Sequence, residues 1–192
     1  MKTLSKTRII AECAIMVALG TILANIKLFE MPYGGSVTLV SMLPFILVSF
    51  RHGVKWGLLT GLVNAMLQMM IGFWAPPANT LMAFVGVVML DYVLAFTLLG
   101  LAGLFKKFFK NEVVGVAVAV CAVCFIRFMC SFLSGALIWG SYQVYYEWAN
   151  ELSVWTYSLI YNGSYMLPEM LITTIIAVIL CKKMPEFFSE QK

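Results

Sequence analysis

Three ionisable side chains lie inside long apolar stretches of this sequence: Asp91, Arg127 and Glu169. Holding a charge at the centre of a bilayer costs at least ~2.5–3.5 kcal/mol on insertion scales, so such residues face one another or a polar cavity. Carboxylate and guanidinium groups lining a cavity could bind a small molecule through charge-assisted hydrogen bonds. The alternative is a purely structural ion cluster that locks helices together, although such clusters seldom add net stability.

The three charges are expected at one depth in the membrane. Asp91 and Arg127 each lie 15 residues from the charged end of their own segment, and Glu169 lies 13 residues from the end of its segment. At ~1.5 Å per residue these separations place them ~20–22 Å into a hydrocarbon core of ~30 Å. We therefore expect Arg127 to pair with Asp91, while Glu169 either joins them or faces the cavity separately.

Polar and aromatic residues accompany these charges. Ser131 follows Arg127 by one helical turn, Trp139 ends the same segment, and Tyr157 and Asn162 open the next one. The stretch 141–162 is rich in Tyr and Trp, which is typical of an aromatic belt at the lipid headgroups, or of a belt that also forms a ligand-binding wall. This composition suits a small, flat, polar or cationic molecule held by stacking, cation–π contacts and hydrogen bonds.

Apolar runs separated by breakers predict the elements that position these residues. The chain has 192 residues, 62% of them hydrophobic and 11% charged, and its mean hydropathy is +0.93. We predict an all-α integral membrane protein, one domain over residues 1–192, with six transmembrane helices at about 9–28, 38–50, 56–72, 80–105, 113–140 and 157–181. The first run is expected to be a retained helix rather than a signal peptide, because it is long, contains Glu12 and lacks a cleavage site.

Basic residues predict the orientation of these helices. Six spans place both termini on one side, and that side also receives the connections between the second and third and between the fourth and fifth helices. Nearly all of the Lys and Arg residues fall there, whereas the opposite side has Lys27 alone, so the positive-inside rule places both termini in the cytoplasm of a cell-membrane protein. The cytoplasmic set comprises Lys2, Lys6, Arg8, Arg51, Lys55, Lys106, Lys107, Lys110, Lys182, Lys183 and Lys192.

Several kinds of chemistry are excluded or disfavoured by the sequence. No phosphate-binding P-loop motif occurs, and the single histidine, His52, falls in a predicted cytoplasmic loop with a solvent or headgroup environment, so a Ser–His protease or a histidine metal site is not expected. The five cysteines lie in or beside predicted helices and are expected to act as small hydrophobic residues. The net charge of +4 reflects topology anchors rather than nucleic-acid binding. We predict a binding and translocation protein, not an enzyme, without a cofactor or metal.

Two further patterns concern a helix-packing face and external loops rather than ligand-binding side chains. Ala11, Ala14 and Ala18 place small residues at close helical spacing on the first helix, which favours either internal packing or the docking of a partner helix. The external segments "GFWAPPAN", which contains Trp74, and "EMPYGGSV" carry Gly and Pro breakers, and either could form a lid.

The sequence resembles the substrate-binding S components of energy-coupling factor (ECF) vitamin transporters, and in particular their thiamine-specific ThiT (YuaJ) members. The resemblance covers nearly the whole chain. It is most specific in "MPYGGSVTLVSMLPFILVSFRHGVKWGLLTGL" and "VWTYSLIYNGSYMLP", and it includes "AECAIMVALGTILA", "LDYVLAFTLLGLAGLF" and "SGALIWGSYQ". It implies a six-helix membrane protein with an extracellular vitamin pocket, which works with a membrane T component and two cytoplasmic ATPases and docks through the alanine motif.

The resemblance also implies site residues. The family's acidic–Tyr pair resembles Asp91–Tyr92, its basic residue resembles Arg127, and its later aromatic and amide positions resemble Trp139, Tyr157 and Asn162. Two positions depart from other members, which have Trp where this chain has Asn64 and His where it has Ser131, and no acid or Trp stands in "GGSVTLVSM". The candidate substrate-binding residues are therefore Asn64, Trp74, Asp91, Tyr92, Arg127, Ser131, Trp139, Tyr157, Asn162 and Glu169.

The resulting hypothesis is a protein that captures thiamine, or a close pyrimidine or thiazole relative, outside the cell for ATP-driven import. In this hypothesis Asp91 accepts a hydrogen bond from the aminopyrimidine and Arg127 keeps Asp91 aligned. Trp139, Tyr157 and Tyr92 stack on the rings. The alternative is a stand-alone oligomeric secondary transporter of a small aromatic or cationic metabolite, which the lack of an internal repeat makes less natural.

Overall fold

Six helices and one short β-hairpin make up the fold in the computed structural model, which describes residues 5–32 and 34–189. The order is α1 (Lys6–Asn25), β1 (Lys27–Glu30), β2 (Ser36–Thr38), α2 (Leu43–His52), α3 (Val54–Gly72), α4 (Leu81–Lys106), α5 (Glu112–Leu137) and α6 (Val154–Lys183). Three short 3₁₀ turns follow α5 and α6, at Gly140–Tyr145, Glu147–Ala149 and Pro185–Phe187. Lys2 and Lys192 of the predicted cytoplasmic charges lie outside the described residues.

Local sequence signals explain most of the helix starts. Ser5, Thr80, Asn111 and Ser153 each precede a helix, and each side-chain oxygen accepts a hydrogen bond from a backbone N–H in the first turn. These caps satisfy donors that no helical carbonyl can reach. The Pro76–Pro77 pair separates α3 from α4. The helices follow one another in the order predicted from the sequence, with boundaries that differ by up to five residues.

The β-hairpin between α1 and α2 is the main departure from the predicted elements. β1 and β2 pair antiparallel, with Glu30 opposite Ser36. Gly34 and Gly35 adopt φ values of 95° and 90° in the turn, a left-handed conformation that glycine reaches without steric cost. The first helix therefore ends at Asn25 rather than near residue 28, and the second starts at Leu43 rather than near residue 38.

Five helices are long and apolar enough to cross a membrane: α1, α3, α4, α5 and α6. At ten residues, α2 is about 15 Å long and shorter than a hydrocarbon core of ~30 Å. The membrane-protein class is thus supported, and α2 as a sixth span stays a prediction. Large apolar side chains point outward from the bundle, as expected for contact with lipid, among them Ile15, Ile22, Leu59, Met66, Leu171 and Ile175.

Glycines allow α3 and α4 to touch backbone to backbone. A Cβ added to Gly61 would lie 2.4 Å from the Phe96 carbonyl oxygen, and one added to Gly100 would lie 2.2 Å from the Leu58 nitrogen. Small residues at such contacts are typical of membrane helix packing. Ser49 of α2 reinforces the junction, because its hydroxyl donates to the Gly100 carbonyl at 2.5 Å and accepts from the Gly103 N–H at 2.9 Å.

The start of α1 and the end of α2 meet at what we call the basic end of the bundle. Glu12 accepts hydrogen bonds from Arg8 Nε at 3.1 Å and Arg51 Nε at 2.8 Å, and its carboxylate lies 2.9 Å from His52 Nε2. The expected environment of His52 was wrong, because its side chain is 1% exposed. Lys106, also at this end, donates to Glu112 and to the Phe188 carbonyl.

The hydrogen-bond register of α4 changes along its length. Val88–Leu94 is π-helical and Leu98–Leu101 is 3₁₀-helical, between α-helical turns. A π-helical stretch carries more residues per turn than an α-helix and is frequent at functional sites. Asp91 and Tyr92 both lie in this π-helical stretch.

Candidate functional site

A cavity of about 320 Å³ opens at the end of the bundle opposite the basic end, between the β-hairpin, the end of α3 and parts of α4, α5 and α6. Its size falls at the lower edge of the range for small-molecule sites. Nine of the ten candidate residues contribute to its wall: Trp74, Asp91, Tyr92, Arg127, Ser131, Trp139, Tyr157, Asn162 and Glu169. The three intramembrane charges therefore share one cavity.

The carboxylate of Asp91 is fixed through one of its two oxygens. Asp91 Oδ2 accepts hydrogen bonds from Ser134 Oγ at 2.7 Å and from Trp139 Nε1 at 2.9 Å. Among the described residues no hydrogen bond reaches Oδ1. An ionised carboxylate offers about four lone-pair sites, so Asp91 retains acceptor capacity that a ligand N–H or O–H could use.

Tyr92, the next residue in the π-helical stretch, holds the loop after α3. Its hydroxyl accepts from the Trp74 backbone N–H at 3.0 Å and donates to the Gly72 carbonyl at 3.1 Å. Its ring stacks against Phe73 at a centroid distance of 5.6 Å. The expected placement of Trp74 beside the cavity thus has a structural cause, since Tyr92 ties its backbone to α4.

Arg127 does not pair with Asp91, so the expected ion pair is wrong. No carboxylate of a described residue lies within 4.0 Å of the guanidinium group, whose carbon instead sits 4.3 Å from the ring centroid of Phe96. Its Nη1 atom is buried without a hydrogen-bond partner among the described residues. Asp91 and Arg127 line the same cavity, so equal depth in the bundle was not enough to identify the partner of either charge.

Glu169 faces the cavity separately and holds the β-hairpin. Its Oε2 accepts from the Thr38 backbone N–H at 2.5 Å, and its Oε1 accepts from the Thr38 hydroxyl at 2.6 Å. Ser41 Oγ lies 2.7 Å from the same hydroxyl. A carboxylate buried to 3% exposure is thereby satisfied by two donors from β2, which fixes the hairpin against α6.

Tyrosines of α6 form one wall of the cavity. The rings of Tyr157 and Tyr161 lie 5.6 Å apart, and those of Tyr161 and Tyr165 lie 6.3 Å apart in an edge-to-face arrangement. The hydroxyl of Tyr161 donates to the Gly34 carbonyl at 2.9 Å. Such faces can stack on flat rings or contact a cation, and all three tyrosines line the cavity.

Asn162 is held in place by hydrogen bonds within α6. Its Nδ2 donates to the Ser158 carbonyl and hydroxyl at 3.0 and 3.1 Å, and its Oδ1 accepts from the Tyr165 hydroxyl at 2.7 Å. Gly135 of α5 packs directly on this group. A Cβ at Gly135 would lie 2.3 Å from Ser158 Oγ and 2.7 Å from Asn162 Nδ2, so only glycine permits the observed contact.

Asn64 does not line the cavity wall, unlike the other nine candidates. It is fully buried on α3, and neither its Nδ2 nor its Oδ1 has a partner among the described residues. The candidate was chosen from an aligned position in the resembling family, where a large Trp side chain stands. The shorter amide does not extend to the cavity, and Gln68 of α3 contributes to its wall instead.

Other wall residues were not found from the sequence: Thr38, Ser41, Gln68, Phe96, Tyr161 and Tyr165. The two tyrosines follow Tyr157 at four-residue spacing, a helical periodicity that could have identified them. Thr38 and Ser41 are small polar residues next to a glycine turn, and nothing in their local pattern indicated contact with Glu169. Within the described residues no group of three His, Cys, Asp or Glu side chains could hold a metal ion.

The alanine motif lies on the outside of the bundle. Ala11, Ala14 and Ala18 are all exposed, while Cys13, Val17 and Gly20 of the same helix are buried. Of the two alternatives for this motif, internal packing is therefore wrong for the described structure. The motif therefore lies on the outward face of α1, together with the exposed Ile15 and Ile22.

The cavity combines flat aromatic faces, a carboxylate with an unused oxygen and a buried guanidinium with an unused donor. This set can bind a small molecule that has flat rings and both donor and acceptor groups.

Comparison with known proteins gives consistent matches over the whole chain. The family model described as thiamine transporter protein (YuaJ) matches residues 10–189. The thiamine transporter ThiT of Bacillus subtilis is 34% identical over 94% of both chains, and that of Lacticaseibacillus paracasei is 26% identical over 95% of this chain and 88% of its own. The structure of ThiT from Listeria monocytogenes superposes with a TM-score of 0.75, at 22% identity, over 96% of this chain and 98% of its own, so the fold is the same.

Proposed function

The chain belongs to the thiamine transporter protein (YuaJ) family, and from this premise we propose that it is the thiamine-binding S component of an ECF transporter. In this proposal the protein captures thiamine on the extracellular side of the cell membrane. A T component and two cytoplasmic ATPases then drive its import. Support comes from the family, from five helices apolar enough to cross a membrane, and from the cavity at one end of the bundle.

The observation that carries the ligand assignment is the hydrogen bonding of the Asp91 carboxylate. Its Oδ2 is occupied by Ser134 and Trp139, which leaves Oδ1 to accept a hydrogen bond from the amino group of the pyrimidine ring. Arg127 cannot align Asp91 as first expected, because the two do not pair. We propose instead that its unpartnered Nη1 donates to an acceptor on the ligand.

Aromatic residues are proposed to hold the two rings and the positive charge of thiamine. Trp139, Tyr157 and Tyr92 lie on the cavity wall and can stack on the pyrimidine or contact the cationic thiazolium ring. Asn162 is proposed to support the wall rather than to bind alone, since Ser158 and Tyr165 already engage its amide.

The proposed orientation places both termini in the cytoplasm. Glu12 brings Arg8 and Arg51 together at the end of the bundle opposite the cavity, where the positive-inside rule requires the basic residues. The outward face formed by Ala11, Ala14 and Ala18 is the proposed docking site for the T component, because small residues allow close approach of a partner helix.

Titration of the purified protein with thiamine, followed by calorimetry, tests the ligand assignment. We expect Asp91→Asn and Trp139→Ala each to weaken binding at least about tenfold, since each removes a charge-assisted hydrogen bond or a stacking surface. Glu147→Gln and Trp155→Ala are matched controls at exposed positions outside the cavity wall. Unchanged affinity in both site variants would show that the assignment is wrong.

The ATP-driven mechanism has a separate test. The purified chain in liposomes should bind thiamine without accumulating it, and accumulation should require the T component and the ATPases. Uptake by the chain alone, driven by an ion gradient, would favour the stand-alone secondary transporter.

A further inference from the structure

Ser134 is completely buried in α5 and is not part of the cavity wall. Its hydroxyl nevertheless donates a hydrogen bond to Asp91, which does line the cavity. The distance from Ser134 Oγ to Asp91 Oδ2 is 2.7 Å. A buried hydroxyl between two helices could serve only to tie α5 to α4. The surrounding geometry indicates a more specific role.

The backbone of Ser134 also holds the turn that carries Trp139. Its carbonyl accepts from the Ile138 N–H at 2.8 Å and from the Trp139 N–H at 3.2 Å. The indole of Trp139 then returns to the same carboxylate oxygen that the Ser134 hydroxyl contacts, at 2.9 Å. One residue therefore fixes both the acid and the second donor to that acid.

Two donors on a single oxygen define the plane of the Asp91 carboxylate. Rotation about the Cβ–Cγ bond would stretch both bonds, and each is a charge-assisted hydrogen bond, which is stronger than a neutral one. The fixed plane leaves Oδ1 as the atom available to a ligand. A carboxylate with a single donor would keep more rotational freedom and would lose entropy when the ligand binds.

We propose that Ser134 is a positioning residue for ligand binding, which acts through Asp91 and does not touch the ligand. This inference rests on the proposed function, in which Asp91 binds thiamine, and adds to it a residue that lies outside the cavity wall. The hydroxyl is the part that matters, because an alanine at this position keeps the backbone bonds to Ile138 and Trp139.

The test compares Ser134→Ala with Ser49→Ala by thiamine calorimetry and thermal unfolding. Both serines are buried and both hydroxyls bond to α4, but Ser49 contacts Gly100 and Gly103 near the other end of that helix. We expect Ser134→Ala to bind thiamine roughly tenfold more weakly, as for the loss of a hydrogen bond to a charged group. Ser49→Ala should lose thermal stability and keep its affinity. Ser134→Cys, close in volume and a weaker donor, should lose affinity as Ser134→Ala does.

A double-mutant cycle separates positioning from simple packing. In an Asp91→Asn background, Ser134→Ala should change affinity by no more than about twofold, because the charge that its hydroxyl oriented is gone. Wild-type affinity in Ser134→Ala and Ser134→Cys, or an equal loss in the Asp91→Asn background, would overturn the inference. Wild-type affinity in Asp91→Asn alone would instead refute the proposed ligand role of Asp91.

Discussion

Replacing Gly135 by alanine tests whether the contact between α5 and α6 shapes the cavity. The new methyl group would lie 2.3 Å from Ser158 Oγ and 2.7 Å from Asn162 Nδ2, whereas ordinary contacts begin at 3.4 Å. The helices must separate by up to about 1 Å, or Ser158 must turn away and give up its 2.7 Å bond to the Phe132 carbonyl and its bond to Asn162.

The expected cost combines overpacking and lost hydrogen bonds. Overpacking a tight site costs about 1–3 kcal/mol, and the loss of one of these neutral hydrogen bonds adds about 1 kcal/mol, so we expect a loss of about 2–4 kcal/mol. For a chain of this size that corresponds to a Tm lower by about 4–16 °C. Thiamine affinity should also fall, because displacement of Asn162 moves Tyr165, to which it is bonded.

Gly163→Ala is the matched control for this prediction. Gly163 is next to Asn162 on α6, yet a Cβ there would meet no atom within 4 Å. Alanine should therefore be tolerated, with a Tm equal to or slightly above that of the wild type, since helical alanine is favoured over glycine. Thermal unfolding in detergent and thiamine titration of both variants provide the measurements. A Gly135→Ala protein that melts and binds like Gly163→Ala would refute the reasoning.

Three further changes test other parts of the structure. Gly100→Ala should lower the Tm by about 2–12 °C, because its Cβ would meet the backbone of α3 and overpacking costs about 1–3 kcal/mol, whereas Gly72→Ala, with open space around it, should not. Glu169→Ala should remove both bonds to Thr38, so amide hydrogen exchange at Thr38 should accelerate about tenfold or more; unchanged protection would show that Glu169 does not hold the hairpin. Glu12→Gln should lower the Tm measurably, since two arginines lose their carboxylate partner; a Tm equal to that of the wild type would show that the cluster contributes no stability.

Much of the architecture could be predicted because it depends on amino-acid composition and on the number of residues between charged positions. Apolar length identifies the membrane helices and charge asymmetry predicts their orientation. The rise of 1.5 Å per residue is common to α-helices, so counting from the charged ends gave similar depths for Asp91, Arg127 and Glu169. All three do reach one cavity.

Rotation about the helix axes could not be predicted in the same way. The direction of a side chain depends on how the helices pack and on the local hydrogen-bond register, and the π-helical stretch of α4 changes that register at Asp91. The partner of Asp91 was therefore predicted wrongly as Arg127, when it is Ser134 and Trp139. Asn64 is buried in α3 away from the cavity wall, and its role in ligand binding stays a prediction.

The sequence by itself determined the class of protein, the order of its helices and the residue types that surround the cavity, because hydrophobic length and charge act on each segment separately. Only the tertiary structure decided which groups touch: Asp91 with Ser134 and Trp139, Arg127 with Phe96, and Glu169 with Thr38. These contacts join segments far apart in the chain. Their geometry arises from glycine contacts and from the backbone of a hairpin turn, and neither leaves a periodic signal in the sequence.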